Sequence, residues 1–156
     1  MSDGSDVRLV PLHDAAKRPV ASSEWDDWGG PIVNGAEPLG RLLVTADGVP
    51  VGDLSWHEQW YGPTAASRAV NIGIALAADA RGKGIGSRAQ RLLAEHLFAT
   101  TDVTRVEAST DVANLAEQRA LEKAGFTREG VLRSAQGRAD GLHDLVVYSV
   151  LRGELA

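Results

Sequence analysis

The sequence of 156 residues contains no cysteine. This absence excludes disulfide bonds, thiolate zinc sites and a cysteine nucleophile, and it is compatible with a reducing compartment. The chain also has no apolar run near the roughly 20 residues needed to cross a membrane, and its start lacks the apolar core of a signal peptide. Its histidines and carboxylates nowhere show metal-ligand spacing, so we predict no metal site. We expect a soluble, cytoplasmic protein.

Positive charge is also scarce, because 16 lysines and arginines stand against 21 aspartates and glutamates, which leaves a net charge of −5. Nucleic-acid binding needs clustered cations that displace counterions from phosphates, so the acidic balance argues against a nucleic-acid partner. The length suits one domain with a full core. We predict that residues 1–6, which are small and acidic, form a disordered terminus and that residues 7–156 form a single domain.

Hydrophobic periodicity gives the order of the elements. Residues 7–12 predict a strand, residues 12–40 mix short helical pieces with proline and glycine breaks, and residues 41–63 predict a hairpin around the turn ADG. There follow a strand over RAVNIGIAL, a helix after three glycines, a strand over TRVEAST, and a helix over NLAEQRALEKAGF. The second helix should have Asp111 as its N-cap and Gly125 beyond its end. Two β-rich runs, TREGVLRSA and LHDLVVYSVL, close the chain as an antiparallel pair, and the whole order predicts an α/β fold with a mixed sheet flanked by helices.

Glycines stand at positions 82, 84 and 86, immediately before a helix with an apolar stripe. Glycine lets successive main-chain N–H groups point into one concavity, and the positive end of the helix dipole adds to their attraction for an anion. Between Asp79 and Arg91 there are also four cations and one carboxylate, which makes this stretch basic within an acidic chain. The loop ARGKGIGS therefore indicates a phosphate site.

Three alternatives for this loop differ in how well they fit. A flexible turn is the simplest, since glycines cluster in turns without any ligand. A P-loop is excluded, because Lys83 is followed by Gly84 and no serine or threonine stands where a magnesium ion needs it. A dinucleotide-binding loop matches G-x-G-x-x-A at Gly84, Gly86 and Ala89, with Glu107 at the distance of a ribose ligand. In that fold, however, the first glycine follows its strand almost at once, whereas AADARGK intervenes here.

Two motifs in a fixed order carry a family resemblance. The stretch RGKGIG at 81–86 is similar to the R/Q-x-x-G-x-G/A signature of the GNAT superfamily, the acetyl-CoA-dependent N-acetyltransferases. The helix NLAEQRALEKAGF resembles the N-x₇-E-K-x-G-F helix of the RimJ/RimL-type branch at Asn114, Glu122, Lys123, Gly125 and Phe126, and GLHDLVVYSVL resembles its closing strand. The resemblance spans about residues 40–152. It implies a single GNAT-like domain whose mixed, mostly antiparallel sheet is splayed between central strands.

The resemblance also implies which residues bind the coenzyme. The main-chain N–H groups of the glycine loop would hold the diphosphate of acetyl-CoA, with Arg81 as the first residue of the signature. Main-chain groups of the strand before the loop would pair with the pantetheine arm, and Asn114 would hydrogen-bond that arm from the neighbouring helix. The implied coenzyme-binding residues are Ile74, Ala75, Leu76, Arg81, Gly82, Lys83, Gly84, Ile85, Gly86, Ser87 and Asn114.

Acetyl transfer to an amine needs a proton acceptor for the amine and a main-chain N–H group for the developing oxyanion, and an acid can protonate the departing thiolate. It needs no covalent enzyme intermediate, so we expect direct transfer within a ternary complex. Two positions depart from the family pattern. Asn71 stands where many relatives have a glutamate, and Leu121 stands where another branch has a tyrosine acid. The catalytic groups must therefore come from elsewhere or be replaced by ordered water.

Three side chains are candidates for the catalytic acid or base. Glu107 lies on the strand TRVEAST, where a partly buried carboxylate is either a proton acceptor or a structural ion pair with an arginine. His57 lies on the polar face of the hairpin; histidine changes charge near neutral pH, and a solvated ring is the alternative. Tyr148 lies on the interior closing strand, where its hydroxyl must find a partner, and it is either an acid or a core residue.

The sequence thus favours an N-acetyltransferase that moves an acetyl group from acetyl-CoA to a primary amine of a small molecule or a protein N-terminus. The alternative is an acyl-CoA-binding module without efficient turnover, which the departures at Asn71 and Leu121 permit. No pattern identifies the acceptor, whose site we expect in residues 12–40 and 55–68. No membrane partner is expected, and the oligomeric state stays open, with a homodimer as one option.

Overall fold

The computed structural model of the protein describes residues 4–12, 24–34 and 37–155. Within these ranges the strands and helices follow the order that the hydrophobic periodicity predicts. The elements are β1 (Val7–Pro11), β2 (Gly40–Ala46), β3 (Val49–Trp60), β4 (Arg68–Leu76), α1 (Ile85–Thr100), β5 (Arg105–Asp111), α2 (Leu115–Lys123), β6 (Thr127–Arg138) and β7 (Gly141–Leu151). Short 3₁₀ turns cover Glu24–Asp26, Ala65–Ser67 and Ala78–Ala80.

The strands of the described ranges form one seven-stranded sheet in the order β1-β2-β3-β4-β5-β7-β6. Neighbouring strands are antiparallel except β4 and β5, which are parallel. β7 is apolar on both faces in sequence, and it lies between β5 and β6 as the expected interior strand. The predicted mixed, mostly antiparallel sheet with flanking helices is therefore confirmed. Neither helix in these ranges is long and apolar enough to cross a membrane.

Both helices pack on the same face of the sheet and enclose the core with it. From α1, the residues Ile85, Ala89, Leu93 and Leu97 recur at helical spacing and are at most 2% exposed. Successive strand residues point to opposite faces, and the core-facing residues of β4 and β5 are Val70, Ile72, Val106 and Ala108. Asn71 and Glu107 therefore point to the opposite face, which carries no helix in the described part of the chain.

The pairing of β4 with β5 is short. It joins Val70 to Val106 and Asn71 to Glu107 and then stops. β4 is paired with β3 along its whole length, and β5 is paired with β7 along its whole length, so each strand follows its outer partner. Beyond the second pair the two strands diverge and leave a gap, whose edges offer main-chain N–H and C=O groups without a strand partner. The splay expected between the central strands is confirmed.

The predicted hairpin turn is confirmed and is linked to the start of the chain. Asp47 and Gly48 have φ angles of 50° and 81°, which are the left-handed conformations of a two-residue hairpin turn. The N–H of Asp47 donates to the carbonyl of Asp6 at 2.9 Å, and the N–H of Asp6 donates to Asp47 Oδ1 at 2.8 Å. Asp6, in the terminus expected to be disordered, is thus bonded to the turn, whereas residues 1–3 lie outside the described residues.

The start of α2 differs from the prediction and its end agrees with it. Asp111 is not the N-cap: the cap is Asn114, whose Oδ1 accepts from the N–H of Glu117 at 3.2 Å. The carboxylate of Asp111 is buried and binds Arg138 at 3.2 Å, so it is committed to an ion pair. Gly125 has a φ of 101°, as expected for the residue that ends the helix.

β6 and the region before β2 differ from what the sequence predicts or are described only in part. β6 runs to Arg138, beyond the predicted strand TREGVLRSA, and its pairing with β7 is interrupted by two register shifts. The sequence predicts short helical pieces in residues 12–40. Residues 13–23 and 35–36 of that region lie outside the described residues, so the expectation is not tested there. The described part of that region contains the 3₁₀ turn Glu24–Asp26.

Candidate active site

Two clefts meet at the gap between β4 and β5. The helix-side cleft has a volume of about 1340 Å³ and is walled by residues 72–76 of β4, the glycine loop, the end of β5 and the first turns of α1 and α2. The open-face cleft has a volume of about 910 Å³ and lies on the face of the sheet without described helices. Ser109 of β5 lines both clefts. The gap therefore connects the two faces of the sheet.

The glycine loop presents unbonded N–H groups beside the helix-side cleft. Gly82 and Gly84 have φ angles of 74° and 77°, a left-handed conformation that residues with side chains avoid. In the described part of the chain, the main-chain N–H groups of residues 82–87 have no protein acceptor. The first helical hydrogen bond runs from Arg88 to Gly84, at 3.2 Å. The loop therefore offers the N–H donors and the helix dipole of an anion site.

The side chain of Arg88 holds this loop in place, a role that the sequence reasoning missed. Its Nη2 donates to the carbonyl of Lys83 and its Nε to the carbonyl of Gly84, each at 3.1 Å. Because the C=O and N–H of one trans peptide unit point in opposite directions, the N–H groups of Gly84 and Ile85 point away from Arg88. The spacing of four residues between Gly84 and Arg88 is the signal that could have revealed this contact.

On β4, the main-chain groups of Ile74 and Leu76 face the gap, and those of Ala75 do not. The N–H of Ala77 donates to a β3 carbonyl at 2.8 Å, and alternate residues of a strand direct their main-chain groups to the same side. Ala75 must therefore also face β3, and its carbonyl oxygen lies 2.2 Å from where a Cβ would stand on Gly52. We restrict the predicted main-chain contacts of this strand to Ile74 and Leu76.

Arg81 ties the glycine loop to the end of β4. Its Nε and Nη2 donate to the carbonyl of Leu76 at 3.1 and 2.9 Å. Lys83 and Ile85 do not line the helix-side cleft, and the Ile85 side chain belongs to the core. Only main-chain groups of these two residues can serve a ligand. The other expected residues do line the cleft: Ile74, Ala75, Leu76, Arg81, Gly82, Gly84, Gly86, Ser87 and Asn114.

Asn114 has a structural task at the wall of this cleft. Besides capping α2 through Oδ1, its Nδ2 donates to Thr110 Oγ1 at 3.1 Å. A carboxamide has two N–H donors and two lone pairs on its oxygen. Asn114 therefore retains one donor and one lone pair for a ligand, and its contact with the coenzyme arm stays a prediction.

Glu107 lies in the open-face cleft where the β4–β5 pairing ends, and it is 3% exposed. Its carboxylate accepts from the Tyr61 hydroxyl at 2.7 and 2.8 Å, from Arg105 Nε at 2.9 Å and from Asn71 Nδ2 at 3.5 Å. The arginine ion pair that the sequence reasoning named as the alternative role is thus present. Three neighbouring side chains fix the position of this carboxylate.

Arg105 links Glu107 to a second carboxylate of the same cleft. Its Nη1 and Nη2 donate to Glu129 at 2.6 and 2.8 Å, and the Ser149 hydroxyl donates to Glu129 at 2.7 Å. These hydrogen bonds lower the pKa of Glu129 to about 2, and the hydrogen bond from Arg105 contributes most. Burial and the hydrogen bond to Glu107 raise the pKa of the Tyr61 hydroxyl, which therefore stays a donor at neutral pH.

The other two catalytic candidates line neither cleft. Tyr148 is 1% exposed, and its hydroxyl donates to Glu122 of α2 at 3.0 Å, on the core side of the sheet. Its environment is that of the core residue named as the alternative. His57 is exposed and stands opposite Asn71 in the β3–β4 ladder, so that β4 lies between it and Glu107. Of the three candidates, the structure brings Glu107 alone to a cleft.

Arg138 anchors a separate segment at the wall of the helix-side cleft, which the sequence did not reveal. Its Nη1 donates to Asp111, and its Nη2 and Nε donate to main-chain carbonyls of residues 24 and 27 at 2.6 and 3.2 Å. Its guanidinium carbon lies 5.8 and 5.7 Å from the ring centres of Trp25 and Trp28. Cation–π contact and hydrogen bonds thus hold both tryptophans at the cleft.

A family model described as an acetyltransferase (GNAT) domain matches residues 15–127, which is more than half of the chain. The chain belongs to the GNAT acetyltransferase family. The resemblance carried by the glycine loop and the second helix is therefore confirmed. The family's donor is acetyl-CoA, so the expected class of reaction, acetyl transfer to an amine, and its co-substrate are confirmed at the level of the family.

Individual relatives extend this result. The chain is similar to an aminoglycoside N(6′)-acetyltransferase type 1 of Klebsiella pneumoniae, with 28% identity over 165 residues that cover 88% of this chain and 81% of the relative. It is similar to the solved structure of RimL, a ribosomal-protein acetyltransferase in complex with coenzyme A, with 25% identity and a TM-score of 0.63, covering 72% of this chain and 61% of RimL.

RimJ of Mycobacterium smegmatis, solved with a coenzyme A disulfide, shares the fold of this GNAT chain. The TM-score is 0.67 at 23% identity, and the match covers 76% of this chain and 55% of RimJ. The chain thus spans between 55% and 61% of these two solved structures. The match to RimL supports the predicted RimJ/RimL-type branch, and the match to RimJ shows the common fold.

Replacing Arg88 by alanine should weaken binding of CoA about tenfold, or roughly 1.4 kcal/mol. The carbonyls of Lys83 and Gly84 would lose their donor, and the loop N–H groups would lose their fixed direction. Isothermal titration calorimetry measures the affinity. Arg91→Ala is the matched control, because Arg91 lies on the same helix and pairs with Glu95 at 2.9 Å. Equal losses in both variants would show that only positive charge matters and would contradict the positioning role.

Proposed function

We propose that this GNAT chain moves an acetyl group from acetyl-CoA to a primary amine by direct transfer across the gap between β4 and β5. The observation that carries the proposal is the meeting of the two clefts at Ser109. A donor on the helix side and an acceptor on the open face would reach each other there without a covalent enzyme intermediate. Holding two reactants in one geometry accounts for a large part of the rate enhancement in such reactions.

The helix-side cleft fits the donor. The unbonded N–H groups of residues 82–87 and the start of α1 suit a diphosphate. Arg81, Lys83, Arg88 and Arg91, against Asp79 alone, add attraction for phosphate groups. The gap-facing N–H and C=O of Ile74 and the N–H of Leu76, whose carbonyl already accepts from Arg81, suit the amides of a pantetheine arm that lies along β4 as an added strand.

We assign the stabilisation of the developing oxyanion to the N–H of Ile74. It belongs to a strand held along its whole length by β3, so the donor is fixed before the reaction begins. Such preorganised N–H donors are worth about 10²–10³ in rate. Of the two gap-facing residues, Ile74 is also the one farther from the glycine loop. The thioester end of the coenzyme would lie beside Ile74, because the diphosphate end would lie at the loop.

Glu107 is the catalytic side chain of this proposal. It lies on the open-face side of the gap, and its carboxylate is fixed by Tyr61, Arg105 and Asn71. An amine arriving as the ammonium ion is attracted by the carboxylate and must lose a proton before it can attack the thioester. We assign to Glu107 the acceptance of that proton.

The charges of the open-face cleft favour an acceptor with a single amine. Its described lining carries two arginines, Arg68 and Arg105, and two glutamates, Glu107 and Glu129, which sum to zero. A polycationic acceptor such as an aminoglycoside would be attracted more strongly by an excess of carboxylates, which this lining lacks. The lining also includes apolar groups, Ala66, Ala69, Val131, Leu132 and Val147. A protein or peptide N-terminus with small apolar first residues suits this lining better than a polyamine.

Replacing Ser109 by leucine should fill the junction of the clefts and lower kcat/KM for acetyl transfer about a hundredfold. Affinity for CoA should change by less than about threefold, because the loop is untouched. Amine-dependent release of CoA thiol measures transfer, and Thr127→Leu, at an exposed β6 position outside both clefts, is the control. Acetyl transfer by Ser109→Leu at the wild-type rate would refute transfer across the gap.

A different outcome concerns the wild-type protein: if it binds CoA but releases no CoA thiol with any amine tested, the acyl-CoA-binding module would be favoured over the enzyme.

Replacing Glu107 by glutamine should lower kcat about a hundredfold or more while leaving KM for acetyl-CoA unchanged. The loss should shrink as the pH rises toward about 9, because the amine then deprotonates in solution. A pH profile of kcat tests this, with Glu58→Gln on the exposed end of β3 as the control. A loss that is constant at every pH would indicate a structural role of the ion pair alone.

Among acceptors, a peptide with a free N-terminus and alanine as its first residue should give a higher kcat/KM than spermidine or an aminoglycoside. The reason is the balanced charge and apolar lining of the open-face cleft. The same peptide with an acetylated N-terminus controls for thiol release without transfer. A preference for the polycations at low and moderate salt would overturn this choice of acceptor and leave the donor site unaffected.

A further inference from the structure

Glu117 lies in the first turn of α2 and lines the helix-side cleft. Its Oε1 is fully buried and has no hydrogen-bond partner among the described residues. Gln90 of α1, itself 2% exposed, hydrogen-bonds to the carboxyl group and donates to the carbonyl of Gly86 at 3.1 Å. Gln90 thus links the carboxyl group to the first turn of α1, beside the glycine loop.

Helix capping does not account for this side chain. An N-cap asparagine followed three residues later by glutamate has the spacing of a capping box, in which the glutamate accepts from the N-cap N–H. Here the N–H of Asn114 donates to the carbonyl of Asp111 at 2.8 Å. The Glu117 carboxyl is therefore not used at the helix end, and Glu117 belongs to the lining of the cleft.

No cation pairs with Glu117 in the described part of the chain. Among charged groups on the elements packed against α2, Arg91 of α1 pairs with Glu95, and Asp111 of β5 is bonded to Arg138 of β6 and to His143 of β7. The other charged residues that line the cleft are Glu24, Asp26, Arg81, Arg119 and Lys123. Burial raises the pKa of Glu117 to about 7, and the Gln90 hydrogen bond opposes that rise.

A carboxylate beside a diphosphate is repelled by it, whereas a protonated carboxyl group has an O–H to donate. We propose that Glu117 takes part in binding acyl-CoA in its protonated form, donating a hydrogen bond from its buried carboxyl group to the coenzyme. This inference rests on the proposed function of the helix-side cleft as the donor site. Donor binding then takes up a proton. The binding-competent form is present below pH 7 and is lost as the pH rises above it.

The test compares the affinity for acetyl-CoA of wild type, Glu117→Gln and Glu122→Gln by calorimetry between about pH 6 and pH 8.5. Glutamine keeps an N–H donor and cannot ionise. Glu122 lies on the same helix, accepts from Tyr148 at 3.0 Å and lines neither cleft, so it is a matched control. The affinity of wild type relative to Glu117→Gln should fall up to about thirtyfold over this range, and Glu122→Gln should follow wild type. Titration of the coenzyme phosphates affects all three proteins equally.

A second measurement uses wild type alone. Binding heats at about pH 8 in buffers of different ionisation enthalpy should show uptake of close to one proton per acetyl-CoA, since the coenzyme phosphates are already ionised there. No uptake, or a wild-type to Glu117→Gln ratio that stays constant with pH, would overturn the inference and leave the donor site intact. Failure of all three proteins to bind acetyl-CoA at pH 6 would instead overturn the proposed function of the cleft.

Discussion

β4 and β5 are joined by the pairs Val70–Val106 and Asn71–Glu107, and each strand is otherwise committed to a neighbour on its outer side. At the end where β4 and β5 are paired, apolar side chains hold them together on the helix side of the sheet. On the opposite face, Glu107 holds them together through its hydrogen bonds to Tyr61 and Asn71. The open end has no strand partner. A sheet built in this way keeps a continuous core and still offers a passage from one face to the other.

The connection between the two strands explains why the anion site lies next to this passage. β4 and β5 are parallel, so the chain must cross over between them, and α1 makes that crossover. The helix therefore begins close to the carboxyl end of β4, which is the end where the strands diverge. Arg81 and Arg88 then fix the connecting loop through carbonyl oxygens, which leaves its N–H groups for a ligand.

Local patterns in the sequence predicted the elements, the hairpin turn at Asp47 and Gly48, the helix end at Gly125 and the exposed glycine loop. The predictions were wrong or undecided where the role of a side chain depends on a partner far away in the sequence. Asp111 has the residue type of an N-cap, but an ion pair with Arg138 claims its carboxylate. Tyr148 has a hydroxyl suited to acid catalysis, but α2 supplies its partner from the core side.

The sequence also could not predict which neighbouring strand each main-chain group faces. Whether Ala75 turns its main-chain groups to the gap or to β3 depends on the ladder between β3 and β4, which no residue type encodes. The contacts of Arg138 likewise join residues that lie far apart in the chain. The family resemblance supplied the splay and the coenzyme, because both are properties of the whole domain rather than of one segment.

The central claim is that acyl-CoA binds with its diphosphate on the loop N–H groups and its arm in the gap. Amide NMR spectra of ¹⁵N-labelled protein test it most directly, because three glycines stand in the loop and Gly73 adjoins Ile74, whose main-chain groups face the gap. On titration with CoA, the amide signals of Gly82, Gly84 and Gly86 should shift together with that of Gly73, while Gly48 of the hairpin turn stays unchanged. Pantetheine, which lacks the diphosphate, should move Gly73 alone. Loop glycine signals that remain unmoved at saturating CoA would contradict the account.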